Sequence, residues 1–205
     1  VELKEALLEL RKEEKRNFDQ SIDLIINLKG VDIKRDNIAT IVSIPNKIKE
    51  KNVCGFLTKK SELIKTITAP DFVKYRDKKP LKNLVKQYDF FIAAAPLMPQ
   101  IASNFGKALG PSGKMPSPQL GILAKEDDAS IESLLERINK SIKIRVKEPS
   151  VKVCIGKEKM KDEEIIANAL AVYNGLLNVL PTKKDNIKNV MIKTTMGKPV
   201  KVEVK

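Results

Sequence analysis

The rhythm of hydrophobic and polar positions changes twice along this 205-residue chain. Leu3, Leu7 and Leu10 share one helical face, which predicts an amphipathic helix over the first fifteen residues, ending near Asn17. In "SIDLIINL" the period becomes two: Ile22, Leu24, Ile26 and Leu28 alternate with Ser21, Asp23, Ile25 and Asn27, the pattern of a strand. A second strand, "IATIVSIP" at 38–45, is stopped by Pro45, and the connection "KGVDIKRDN" reads as an exposed loop.

From Lys51 short buried-looking strands alternate with helical stretches: "VCGFL", "SELIKTI", "DFVKY", "PLKNLVKQY", "DFFIAAA" and "LMPQIASNFGKAL". Alternation of this kind predicts a parallel sheet with crossover helices, a βαβαβα unit. The helix "DASIESLLERINKSI" at 128–142 closes it, with Asp128 or Ser130 as cap and Ile131, Leu134, Leu135 and Ile138 as the buried stripe. After Ile142 the first rhythm returns in strands "KIRVK" and "VKVCIG". A helix at 161–180 follows, with Ile166, Ala169, Leu170, Tyr173, Leu177 and Leu180 as its apolar face, then strands "VMIKTTM" and "VKVEV".

The fold expected is therefore α+β. Residues 1–48 and 146–205 form a split two-layer domain, a largely antiparallel sheet with two helices. Residues 49–145 form an inserted three-layer α/β, Rossmann-like domain. Two chain crossings, near 45–50 and 143–147, predict a double hinge.

Composition adds the partner. With 42% hydrophobic and 32% charged residues the chain is globular, and no apolar run approaches the roughly eighteen residues of a membrane span, so a soluble, cytosolic protein is expected. The 39 Lys and Arg against 26 Asp and Glu leave a net charge of +13, which points to a polyanion, nucleic acid first. The excess is concentrated: Lys47 to Lys86 holds twelve basic residues against four acidic, and Lys183 to Lys205 seven lysines against two acids. A lysine-rich surface that serves solubility alone is the competing reading. The absence of histidine excludes Ser-His-Asp and Cys-His relays and every His-containing metal site. Cys54 and Cys154, inside apolar runs, read as small buried core residues in a reducing compartment.

The stretch "GPSGKMPSP" at 110–118 carries the glycines, serine and lysine of a phosphate loop, but a P-loop needs G-x-x-x-x-G-K-[ST]. Ala108 stands at its first glycine, Met115 at its magnesium-binding hydroxyl, and Pro111, Pro116 and Pro118 remove amide donors. No G-x-G-x-x-G follows "NVCGFL" either. Two readings remain: a plain connector with Gly110 as left-handed helix stop, or a rigid basic ledge at the hinge or against RNA, with Lys107, Gly110, Gly113 and Lys114 as possible RNA contacts. An enzyme reading of the insert would rest on Asp89, Asp127 and Asp128 holding magnesium.

Three stretches, "RNFDQSIDLIINLK" at 16–29, "DFFIAAAPLMPQI" with "LGPSGKMPSP" over 89–118, and "TTMG" at 194–197, together resemble the L-one family, the ribosomal protein of the large subunit's mobile side stalk, in its archaeal or eukaryotic-like form. The resemblance runs over essentially the whole chain. It implies a non-enzymatic protein without metal or cofactor, monomeric when free, in the cytoplasmic large ribosomal subunit and away from any membrane. It implies that the split domain grips large-subunit ribosomal RNA, that the stalk assists release of exit-site tRNA, and that the protein represses its own mRNA by binding a similar RNA shape. By position, Arg16, Phe18, Ser21 and Asp23 match one half of the family's RNA contact and Thr195, Met196 and Gly197 the other.

The residue chemistry suits those roles. An exposed Phe18 would pack on ribose or base, Gly197 would admit RNA close to the backbone, and the Thr195 hydroxyl would meet a 2′-OH. Asp23 would accept from 2′-hydroxyls or orient Arg16. The competing readings make Phe18 a core aromatic and "TMG" a plain turn. Lys198-Pro199 departs from the family's usual proline followed by a small residue, and Lys198 adds a possible phosphate contact. A relative of the stalk protein that acts on RNA off the ribosome is a further reading.

Overall fold

The computed structural model describes residues 2–12, 16–32, 38–75, 77–123, 125–146 and 148–203. In chain order its elements are α1 (Leu3–Arg11), β1 (Ser21–Leu28), β2 (Ala39–Ser43), β3 (Val53–Phe56), β4 (Lys65–Ile67), α2 (Lys78–Gln87), β5 (Phe90–Ala94), α3 (Met98–Ser112), β6 (Ile122–Leu123), α4 (Asp128–Asn139), β7 (Ser141–Arg145), β8 (Ser150–Lys157), α5 (Asp162–Leu177), β9 (Ile187–Thr194) and β10 (Val200–Val202). They divide between two compact units: Val1–Ile48 with Lys140–Lys205, here unit 1, and Lys49–Asn139, unit 2. The second crossing thus lies at 139/140 rather than at 146, because β7 pairs with β2 over Ala39–Arg145 to Ser43–Ser141.

Unit 1 is built on an antiparallel sheet of order β10-β9-β1-β8. The period of two in β1 does what it predicts: Ile22, Leu24, Ile26 and Leu28 are buried and the alternate positions half-buried. Their cross-strand neighbours Val151, Val153, Val190 and Ile192 bury the same face, and α1 and α5 pack in the same aliphatic core. Helix α1 buries Leu3, Ala6, Leu7 and Leu10; positions 13–15, which the sequence assigns to its end, lie outside the described residues, as do 33–37 of the expected loop.

The buried face of α5 is Ile165, Asn168, Ala169, Val172, Tyr173 and Leu176, turned from the expected one so that Ile166, Leu170 and Leu177 are only half-buried. The helix serves two surfaces, β8 and the β2-β7 ribbon, and a single apolar stripe underestimates that. Gly175 makes the second contact possible, since a Cβ there would stand 2.5 Å from Val42 Cγ2. Fully buried Asn168 is satisfied on every side: its amide donates to Asn46 O (3.0 Å) and Ile155 O (2.9 Å), and its Oδ1 accepts from Asn46 N–H (3.0 Å).

Unit 2 holds a parallel sheet of order β4-β3-β5-β6, and its central strands β3 and β5 are buried throughout. Phe56, Phe72, Phe91 and Phe105 pack ring on ring at centroid distances of 4.9 to 5.9 Å. Two expected elements exchange character. "SELIKTI" is a loop leading into β4 instead of a helix, and "DFVKY" lies in a 3-10 turn, Ala69–Tyr75, instead of a strand. Gly55 explains the first, because its missing Cβ gives room to Ile64, whose Cδ1 lies 2.6 Å from where that atom would be. Asp71 explains the second: its carboxylate accepts from the Thr68 hydroxyl (2.8 Å) and binds Lys74 (2.7 Å), a turn motif rather than a ladder.

Candidate nucleic-acid interface

The two halves of the expected contact meet where β1 begins and where β9 turns into β10, both in unit 1. Ser21 N–H donates to Thr195 Oγ1 (3.0 Å) and the Thr195 hydroxyl donates back to Ser21 O (3.3 Å). Gln20, a buried polar residue the sequence did not single out, holds the same junction from within. Its Oε1 accepts from Met196 N–H (3.3 Å), and its carbonyl accepts from Glu158 N–H (2.9 Å) at the end of β8. Gly197 N–H closes the turn onto Thr194 O (3.3 Å). Left-handed backbone among the described glycines is confined to Gly30, Gly113 and Gly121, so Gly197 is not held there by its φ angle.

This network joins Gln20 and Ser21 to Thr195 and Met196, so the chain entering β1 and the chain leaving β9 meet at the same sheet end. Phe18 is 52% and Met196 65% exposed, so Phe18 is no core aromatic. Arg16, Thr195 and Lys198 are exposed as well, and Ser21, Asp23 and Gly197 half-buried. Asp19 points one oxygen at Lys157 Nζ (3.6 Å), while its buried Oδ1 has no hydrogen-bond partner among the described residues.

Behind this end runs the sheet face away from the core. Asp23 pairs across the ladder with Lys193 on one side and Cys154 on the other. Partial burial pushes the Asp23 carboxyl above the ordinary aspartate range, and Lys193 pulls it part of the way back. Burial likewise raises the Cys154 thiol, helped by Asp23. Cys154 is half-buried on this face rather than in the core, whereas Cys54 is fully buried. Lys152 and Lys201 stand on the same face, opposite Ile25 and Met191. Lys193, Lys152 and Lys201 escaped the sequence reading because cross-strand neighbours are distant in sequence; the period-two pattern of β8 and β9 is the signal that finds them.

The proline-glycine loop does other work, inside unit 2. Gly110 and Pro111 are still helical, and the left-handed stop is Gly113 (φ 70°, ψ 14°), with Lys114 N–H bonded to Leu109 O (3.0 Å). The Lys114 ammonium donates to Val85 O and Tyr88 O, both 2.7 Å, and so caps the carbonyl end of α2. Lys107 is exposed on α3. Of the three residues considered for magnesium, Asp89 is engaged through its carboxylate by Lys49 and Asn52 N–H and Asp128 by Ser61, while Asp127 supplies its backbone carbonyl to α4. Among the described residues no three His, Cys, Asp or Glu side chains cluster, and no helix is long and apolar enough to cross a membrane.

Fold and site together define a basic two-unit α/β protein whose assembled polar cluster is made of amides, hydroxyls and lysines around exposed apolar side chains. The chain belongs to the ribosomal protein L1p/L10e family, whose model matches residues 10–198. It is similar to large ribosomal subunit protein uL1 of Thermococcus kodakarensis, 35% identical over 213 residues, 98% of this chain and 96% of the relative. The uL1 proteins of Pyrobaculum neutrophilum, 36% identical over 216 residues (98% and 94%), and Cenarchaeum symbiosum, 33% over 211 (98% and 95%), are similar to the same extent. It is a ribosomal protein and not an enzyme.

Proposed function

We infer that this chain is a constituent of the large ribosomal subunit in the cytoplasm and binds large-subunit ribosomal RNA through the β1 end of unit 1. The observation that carries the reading is the junction itself: Phe18 and Met196 are exposed beside the hydrogen bonds that join Gln20 and Ser21 to Thr195 and Met196, at the end of a sheet face bearing Lys152, Lys193 and Lys201. Folding leaves large apolar side chains in water at a cost, so an exposed pair beside cations suits sugar and base surfaces flanked by phosphates. Thr195, Ser21 and Asp23 supply acceptors and a hydroxyl for 2′-OH groups, and Arg16 and Lys198 supply charge.

The wider roles in this reading are those of a monomer when free. Unit 1 carries specific binding and unit 2 extends the mobile stalk that assists release of exit-site tRNA. The same surface, meeting a similar RNA shape in the protein's own mRNA, represses translation.

The test uses the full chain and large-subunit RNA at fixed salt. Phe18→Ala and Gly197→Val should each weaken specific binding by about 1 to 3 kcal/mol. Raising salt from about 50 to about 200 mM should lower affinity with a log-log slope of several units. Unchanged dissociation constants for both variants would remove the surface from the reading, and a flat salt response would remove the phosphates.

A further inference from the structure

Unit 2 contains a pocket of about 340 Å³ beside β4. Lys65, Thr66 and Ile67, three consecutive residues of that strand, all line it. Side chains of a strand alternate between faces, so a pocket that touches all three lies along the strand's outer edge. Among the described residues that edge has no neighbouring strand, because β4 ends the sheet order β4-β3-β5-β6.

The lining is cationic with one opposing charge. Lys60, Lys65 and Lys74 face a single carboxylate, Asp71, which already holds Lys74 at 2.7 Å. Lys60 and Lys65 make no ion pair among the described residues. The loop between them is held in shape by its own hydroxyls: Thr66 Oγ1 accepts from Ser61 N–H (3.2 Å) and donates to Ile64 O (3.2 Å), and Ser61 Oγ accepts from Leu63 N–H (3.3 Å). The two lysines therefore stand at the ends of a preformed turn, which lowers the entropy lost when an anion docks. Tyr75 adds a ring, half-buried with one side near Phe105.

The usual ligand position of an open parallel sheet, beyond the carboxyl ends of its strands, is taken after β3 by the chain itself. The Glu126 carboxylate there accepts from Thr58 N–H (2.9 Å), the Thr58 hydroxyl (2.7 Å) and Lys59 N–H (3.3 Å). An incoming anion would have to displace it. In the edge pocket the one lining carboxylate, Asp71, is bound to Lys74 and to the Thr68 hydroxyl, which leaves Lys60 and Lys65 to meet an incoming anion.

We propose that the pocket along the outer edge of β4 binds a nucleoside phosphate, with the phosphate between Lys60 and Lys65 and the base against Tyr75. Small-ligand pockets run from about 300 to 1,000 Å³, so this one is of single-nucleotide size. A peptide added as a further strand is disfavoured, since a three-residue edge offers few ladder hydrogen bonds. The nucleotide is either free or an unstacked residue of RNA, and unit 2 then makes an anion contact of its own, independent of the junction in unit 1.

The test is amide NMR of the full chain titrated with uridine 5′-monophosphate and, separately, with inorganic phosphate. Saturable shifts are expected at Ser61, Lys65, Thr66 and Tyr75, with the nucleotide binding about tenfold more tightly than phosphate. Lys60→Glu with Lys65→Glu should abolish them while shifts elsewhere stay in place; Lys65→Met alone, with reduced affinity, serves if the double variant does not fold. No saturable shift at these residues, or the same shifts in the lysine variants, overturns the proposal. Ultraviolet crosslinking of the chain in large subunits then separates the sources: an RNA adduct on Tyr75 assigns the site to RNA, and nucleotide binding without an adduct assigns it to a free nucleotide. The NMR titration uses the free chain and does not depend on Phe18 or Gly197, so failure of the unit 1 reading and failure of this one are distinguishable.

Discussion

Five of the chain's six phenylalanines lie in unit 2 and are buried there; the sixth, Phe18, is in unit 1 and half in water. Unit 1 closes its core with Leu, Ile, Val and Ala, supplemented by Tyr173, whereas unit 2 is locked by rings around Phe105. Sheet type accounts for part of this. The parallel strands β3 and β5 need cover on both faces, and rings on crossing turns and helices supply bulk from short elements. The antiparallel sheet of unit 1 leaves one face to solvent, and its aliphatic core is complete without Phe18. The same residue type is therefore structural in one unit and available for binding in the other.

Truncating rings is the strongest way to break that contrast. Phe105→Ala should cost unit 2 about 3 to 5 kcal/mol, because the residue is fully buried and touches Phe56 and Phe72. Phe18→Ala should change stability by no more than about 0.5 kcal/mol. Hydrogen exchange reads the two units separately, with protection lost in β3 and β5 for the first variant and retained in β1 for the second. Equal losses from both substitutions would show that Phe18 is part of a core after all.

A second substitution probes how unit 1 packs without buried phenylalanines. Gly175→Ala favours the helix by about 1 kcal/mol on propensity alone. It also sets a methyl 2.5 Å from Val42 Cγ2, where overpacking costs about 1 to 3 kcal/mol. A net loss on urea unfolding is expected, with recovery when Val42→Ala is added. A single variant more stable than the parent would mean that the β2-β7 ribbon yields easily.

These contacts mark the line between what was legible in the sequence and what was not. The alternation of β1 is a local periodicity and reads correctly, and of the expected α4 stripe Ile131, Leu134 and Ile138 are buried while Leu135 is only half-buried. "SELIKTI" misreads because its helical spacing is overridden by a tertiary fact, the space above Gly55 that takes Ile64. The helix stop moves from Gly110 to Gly113 because Pro111 is tolerated in the last turn, where Ser112 Oγ and Lys114 N–H satisfy the carbonyls of Ala108 and Leu109. At the candidate site the exposed residues were legible as motif positions. Gln20, Asp19 and Lys193, which hold or charge the junction, were not, since each acts on partners from another strand.

Lys114 offers a smaller effect with a clear sign. As a cap on Val85 O and Tyr88 O, its replacement by Met should cost unit 2 about 1 kcal/mol and leave RNA affinity unchanged. Weakened RNA binding without any loss of stability would restore the phosphate-contact reading of the loop.

The smallest expected effect concerns Asp23, on the open face of unit 1. Its folded-state carboxyl is raised above the ordinary value, chiefly by burial, so the folded protein holds that proton more tightly than the unfolded chain. Stability from this group is then fully present at acid pH and declines as pH rises from the ordinary aspartate value through the raised folded one. Asp23→Asn removes the burial cost of the charge together with the attraction of Lys193. The net gain at pH 7 should be less than about 1 kcal/mol, since solvent screens a half-buried face. On thermal unfolding the advantage of the variant should shrink as pH falls into the carboxylate range and vanish below it. If the carboxylate accepts from RNA, the same variant gains stability and loses affinity, the trade expected where a charged group is kept for binding rather than for folding. An advantage that is independent of pH would place the effect in packing instead of in the charge.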